Sequence, residues 1–182
     1  MKQSKSPEDG EVIQSYGSLL PVKLGLGEGV RHRSVAALNR LLAHSMAIRD
    51  LYKKAHWQTS GATFYELHLL FDKHYQEQLE LIDTLAERVQ TLGGGVALAL
   101  AYDVVEETRI SRAPRGREAP INQLAGLSAA HELILTEARP LARVANADGD
   151  DGTNDLIVSQ LVRTHELQSW FVGEHLARRP AV

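Results

Sequence analysis

Apolar residues recur at three- and four-residue intervals from Arg31 to Trp57, placing Leu38, Leu41, Leu42, Ala43, Ile48 and Leu51 on one side of a predicted first long helix. A second is predicted from about Thr63 to Leu92, a stretch without Pro or interior Gly that halts at Gly93-Gly94-Gly95. Residues 1–30 read as an N-terminal extension, broken by Pro21, Gly25, Gly27 and Gly29. Beyond the triple glycine, Tyr102 to Thr108 predicts a short helix inside a long connection that ends in a Pro- and Arg-bearing loop at Pro120. A third long helix follows from about Ile121 to Ala145, with a kink or late break expected at Pro140. The fourth, from about Thr153 to Arg178, carries Leu156, Ile157, Leu161, Trp170, Phe171 and Leu176. Four long helices and one long connection predict an all-α four-helix bundle with a short helix between helices 2 and 3. One domain over residues 31–178 then leaves a short C-terminal tail, 179–182.

Composition narrows the class. At 182 residues and 43% hydrophobic content, the chain can bury one sizeable core. No apolar span approaches the roughly 20 residues of a membrane helix, and the start MKQSKSPEDGE lacks the apolar segment of a secretory signal, so a cytoplasmic location is expected. The absence of cysteine excludes disulfides and thiolate metal sites. Imidazole and carboxylate remain, a donor mixture suited to iron or manganese.

Five such donors, His56, His68, Asp72, Asp83 and Glu87, lie along one helix end and the next helix. With His68 at zero, about 100° per residue puts Asp72 near 40°, Asp83 near 60° and Glu87 near 100°, all on one stripe. His68 with Asp72, and Asp83 with Glu87, are each one turn apart and can point at a shared spot. The pairs are separated by roughly 16 Å of helix rise, whereas a hard cation binds oxygen at about 2.0–2.6 Å. They cannot close on one ion. If a second copy packs antiparallel across a two-fold axis, each His68–Asp72 pair meets the other chain's Asp83 and Glu87, giving two equivalent sites per dimer. Tyr75 and Leu79 sit between the pairs on the same stripe and offer apolar surface for a partner helix to bury. The competing reading is a solvated acidic face with an ordinary surface or core histidine.

The run HWQTSGATFYELHLLFD followed by IDTLAERVQTLGG resembles the signature of the Dps family, small ferritin-like iron-storage proteins named for protecting DNA in starved cells. The resemblance spans about Ser34 to Leu176 in helix pattern and is concentrated between His56 and Gly94. It implies a ferritin-like Dps domain over residues 31–178 and a hollow homododecameric shell. It also implies a di-iron (Fe) ferroxidase centre between two subunits, with His56, His68 and Asp72 from one and Asp83 and Glu87 from its two-fold mate. The implied activity is oxidation of Fe(II) by hydrogen peroxide or oxygen, with storage of a ferric mineral core and protection of DNA, in a nucleoid-associated setting. Trp57, beside His56, becomes a candidate oxidisable radical sink, against plain packing at a helix end. In ADGDDGTND, Asp150, Asp151 and Asp155 become candidates for an acidic three-fold channel, Asp155 foremost, with helix capping by Asp151 or Thr153 as the rival. The alternative function is a structural DNA-compacting or shell-forming protein with little ferroxidase turnover.

Other patterns carry less. None of the eight histidines has a Glu three residues earlier, which disfavours Glu-x-x-His di-iron sites inside a bundle. His131-Glu132 and His165-Glu166 do not continue as zinc-protease motifs, since Leu135 and Ser169 stand at the second His positions. Ser159 stands where a calcium loop starting at Asp148 would need its bidentate Glu. His32, His44, His74, His131, His165 and His175 thus read as packed or solvent-facing. Residues 1–17 hold Lys2 and Lys5 against Glu8, Asp9 and Glu11, and the C-terminal end offers Arg178 and Arg179. Arg109, Arg112, Arg115 and Arg117 form a denser basic loop, but the net charge is −3. DNA association is therefore expected to be weak and not sequence-specific.

Overall fold

The computed structural model describes residues 12–96 and 101–177. Helices α1 (Glu28–Gln58) and α2 (Phe64–Thr91) form an antiparallel pair joined by a short turn in which Gly61 adopts a φ of 93°. Their register is set by Tyr52 against His74, Lys53 against Asp72 and His56 against His68. The short α3 (Ala101–Glu107) packs on α1 from within the long connection. Helix α4 (Pro120–Ala147) opens with Pro120, whose missing N–H costs nothing in a first turn, and runs antiparallel to α1, Tyr52 meeting His131 and His44 meeting Glu137. The last rod consists of α5 (Asp151–Asp155), a π-helical stretch Leu156–Val162, and α6 (Arg163–Leu176). It returns along α4, with Asn154 on the Ala142 carbonyl and His165 against His131. Helices α2 and α4 therefore run in the same direction, so the connection between them must travel back along the bundle. For the 28-residue α2 that is about 42 Å.

This is the expected all-α, ferritin-like four-helix bundle, with no strand among the described residues. Leu38, Leu41, Leu42, Ile48, Phe71, Leu85, Ile134, Ile157, Leu161 and Val172 are fully enclosed or nearly so, and come from all four long rods. Among the described residues no helix is long and apolar enough to cross a membrane. Arg31, buried at the start of α1, donates to the carbonyls of Leu20 and Leu92 at 3.1 and 2.9 Å and ties the N-terminal segment to the end of α2. Gly93 makes that closure possible: its φ is +81°, and a Cβ there would lie 2.5 Å from the Leu20 oxygen.

Three details depart from the pattern-based expectation. Helix α1 begins at Glu28, inside the segment read as an extension to residue 30. Pro140 neither ends nor breaks α4, which continues to Ala147. Pro140 and Thr136, whose carbonyl loses its helical partner, are both exposed, so water can take the orphaned bond. The π-helical stretch was not anticipated. Thr153, Ile157, Leu161 and His165 are all buried at successive spacings of four, more than the 3.6 of an α-helix, and the widened backbone keeps all four facing the core. The charges of the terminal tails, including Lys2, Lys5, Glu8, Asp9, Glu11, Arg178 and Arg179, lie outside the described residues.

Candidate metal centre

The last turn of α1 and the first turns of α2 bring His56 and His68 face to face, rings stacked at 3.7 Å between centroids and 23° between planes. Each Nδ1 lies on the other residue's backbone carbonyl, His56 at 2.8 Å from the His68 oxygen and His68 at 2.9 Å from the His56 oxygen. A carbonyl can only accept, so both Nδ1 atoms carry the proton. In the neutral rings this leaves both Nε2 atoms with bare lone pairs, the form in which imidazole binds a metal, and the carbonyl bonds fix the orientation of each ring.

Asp72, one turn beyond His68, stands beside them with Oδ1 4.0 Å from His56 Nδ1. The same oxygen accepts from Lys53 Nζ at 2.8 Å, and that ammonium also lies over the Tyr75 ring. Its hydrogen bond is the main reason the Asp72 carboxyl sits below the ordinary carboxylate range, outweighing the cost of burial, and the Lys53 charge adds to it. Asp83 and Glu87 project to solvent from the later half of α2, whose opposite side buries Leu81, Leu85 and Val89. One chain thus gathers His56, His68 and Asp72 at one end of the stripe and leaves Asp83 and Glu87 at the other. Among the described residues, no three His, Asp or Glu side chains of one chain are placed to hold a metal ion. Trp57 is 70% exposed and is not packed at the helix end as the plain reading held.

The model of the ferritin-like domain family matches residues 35–181. Among solved structures, DpsC from Streptomyces coelicolor superposes with a TM-score of 0.91 at 51% identity, over 94% of this chain and 99% of that one. The chain belongs to the Dps family of ferritin-like proteins. Dps from Thermosynechococcus elongatus is 34% identical with a TM-score of 0.78, over 83% of this chain and 94% of that one. A nutrient stress-induced DNA-binding protein of a Synechococcus species is 30% identical over 166 residues, covering 91% of this chain and 93% of that protein.

The acidic corner of this Dps chain corrects one expectation. Asp150 does not face a channel: it is 1% exposed, caps α5 by accepting from the Thr153 N–H, and pairs with Arg88 at 2.6 Å and the Ser34 hydroxyl at 2.6 Å. The cap is therefore Asp150, one position before Asp151. Asp148 is bound to Arg33, whereas Asp151 and Asp155 are exposed, Asp155 accepting from the Ser159 hydroxyl. In the basic loop, Arg109 pairs with Glu137 and Arg117 donates to the Gln58 and Thr59 carbonyls, so two of its four cations brace the fold.

A second polar cluster fills the bundle interior of the Dps chain, built on histidines expected to be packed or solvent-facing. His44, His74, His131 and His165 are fully buried, together with Tyr52, Gln78 and Gln168. Burial lowers His74 to about 4 and His165 to about 3 and pushes His131 well below its ordinary value, so these three are neutral near pH 7. A signal for them existed. On α2 the core stripe Leu67, Phe71, His74, Gln78, Leu81, Leu85 has two polar residues at apolar positions, and on α6 His165 and Gln168 do the same before Val172.

Proposed function

We propose that this Dps chain oxidises ferrous iron at a centre shared by two subunits and stores the ferric product in a hollow homododecameric shell, with hydrogen peroxide as the expected oxidant. The observation that carries this reading is the locked imidazole pair. Its two Nε2 lone pairs, with Asp72 alongside, form half of a donor set, and Asp83 and Glu87 lie exposed about 16 Å farther along the same helix. A two-fold antiparallel mate supplies the missing half. Imidazole and carboxylate suit ferrous iron, and the carboxylates also accept the harder ferric product. Two ferrous ions held together each give up one electron. Peroxide takes both, its O–O bond breaks, and with two protons it leaves as two waters, so that no hydroxyl radical escapes towards DNA. Asp151 and Asp155 are the acids assigned to iron uptake, and the cytoplasm is the proposed location.

Replacing Asp83 by Asn together with Glu87 by Gln is expected to slow ferrous oxidation by peroxide at least roughly 10²-fold while the assembly keeps its size. Stopped-flow absorbance and light scattering read both quantities. One contact favours the alternative of a shell with little turnover: Lys53 already holds one of the two Asp72 oxygens. A wild-type assembly that itself oxidises iron only slowly would establish that alternative, and rapid oxidation unchanged in the double variant would remove Asp83 and Glu87 from the site. For DNA, two loop arginines are engaged by the protein itself and the net charge is −3. Duplex binding is therefore expected to be weak and to weaken further as salt rises. A mobility shift that persists undiminished at physiological salt would contradict this.

A further inference from the structure

Tyr52 occupies an unusual place in the core. It is fully buried on α1, one turn from His56, so about 6 Å of helix rise separates it from a residue of the candidate metal centre. Its ring lies 6.2 Å from Phe71, the neighbour of Asp72, and its hydroxyl touches two imidazoles, His131 Nε2 at 2.5 Å and His74 Nδ1 at 3.1 Å. We assign the phenol O–H to the shorter contact, donating to His131, so that His74 donates to the phenol oxygen. With Nε2 accepting, His131 carries its own proton on Nδ1 and donates it to His165 Nδ1 at 2.9 Å. A directional chain results: His74 to Tyr52 to His131 to His165.

A purely structural core has little use for this arrangement. Phenylalanine would fill the same space without a hydroxyl to satisfy, and the two outer ends of the chain, His74 Nε2 and His165 Nε2, are buried with no partner. No Glu-x-x-His motif converts the cluster into a carboxylate metal site. What the geometry does provide is a phenol with a base already on its proton. A buried phenol cannot readily lose an electron alone, because the cation left behind has no solvation; losing the proton at the same moment removes that cost.

We propose that Tyr52 is a redox-active residue that gives up one electron as its proton passes to His131. The proposal rests on the iron-oxidising reading for its natural oxidant. When only one ferrous ion is present, peroxide receives one electron from iron and needs a second. The Tyr52 O–H bond breaks, its electron completes the reduction, its proton goes to His131 Nε2, and the peroxide leaves as two waters after taking two protons from solvent. The products are one ferric ion, a neutral tyrosyl radical and a protonated His131. A later ferrous ion returns the electron and His131 returns the proton. Burial, with the nearby Glu77 charge, holds the Tyr52 phenol protonated well above its ordinary range, so the phenol and not the phenolate is the species oxidised.

The test is rapid-freeze electron paramagnetic resonance on the purified assembly, carrying Trp57→Phe to remove a competing aromatic, after peroxide is added to substoichiometric ferrous iron. Ring-deuterated tyrosine should narrow the signal, and Tyr52→Phe should abolish it. His131→Gln keeps an acceptor opposite the phenol but cannot take a proton, and should slow radical formation roughly 10²-fold with the fold retained. A merely structural network would leave that rate unchanged. A second arm uses no iron, oxidising the metal-free assembly with a photoexcited ruthenium tris-bipyridine complex and persulfate, again with and without Tyr52→Phe. If iron oxidation is absent but the photochemical radical resides on Tyr52 and depends on His131, the functional reading fails and the redox assignment stands. If either arm yields tyrosyl radical that survives Tyr52→Phe, or if iron oxidation proceeds with no tyrosyl radical, the assignment is overturned.

Discussion

Mixed assemblies of two inactive variants are expected to recover about one quarter of wild-type ferrous oxidation. One parent lacks the imidazoles, His56→Ala with His68→Ala, and the other lacks the distal acids, Asp83→Asn with Glu87→Gln. Each homodimer has two broken sites. A heterodimer has one site broken on both sides and one intact, built from the histidines and Asp72 of the second parent and the acids of the first. At equal mixing about half of the dimers are heterodimers, and half of their sites work. An intrachain centre would leave the mixture as inactive as its parents. Coexpression with distinguishable tags, native mass spectrometry to count heterodimers and stopped-flow oxidation together decide the matter; inactivity despite abundant heterodimers would sink the shared-site reading.

The second large effect is on stability. Asp150→Ala is expected to cost about 2–4 kcal/mol, because it strips a cap from α5 and leaves the half-buried Arg88 guanidinium without its carboxylate. Asp150→Asn, which keeps acceptors for the Ser34 hydroxyl and the Thr153 N–H, should cost less. The pH dependence has a definite sign. Burial works against the charged carboxylate, but hydrogen bonds from Ser34 and Thr153 and the Arg88 charge hold it below the ordinary 3.8. The stabilisation is therefore complete above about 3.8 and is lost as pH falls through the lower folded value. Denaturant melts of the wild type and both variants at neutral pH and below that value should show the gap narrowing in acid. A neutral-pH difference within the range of a surface substitution would refute the structural role.

These outcomes track what could be read along the chain. The one-turn pairs His68–Asp72 and Asp83–Glu87 and the distance between them follow from spacing within one helix, whereas the stacking of His56 on His68 needs α1 packed against α2. Only the spacing is local. Asp150 could not be told from Asp151 or Asp155 in the same way, because its burial depends on Arg88 and Ser34, residues 62 and 116 positions away. Tyr52 and His131 are 79 positions apart and meet only because α1 and α4 pack antiparallel. Their polar side chains interrupt apolar stripes visible in the sequence, yet nothing along one helix says which other helix brings the partner.

Sequence alone determined the helices, the long connection, the bundle class and the stripe of five donors, since hydrophobic period, helix-stopping glycines and ligand spacing act within a few turns of one chain. The tertiary structure decided which nitrogen of each imidazole carries its proton, that Lys53 sits on Asp72, that Asp150 is a buried cap, and that a tyrosine lies between two histidines. Each of these depends on hydrogen bonds whose two ends are brought together only by packing, with water excluded.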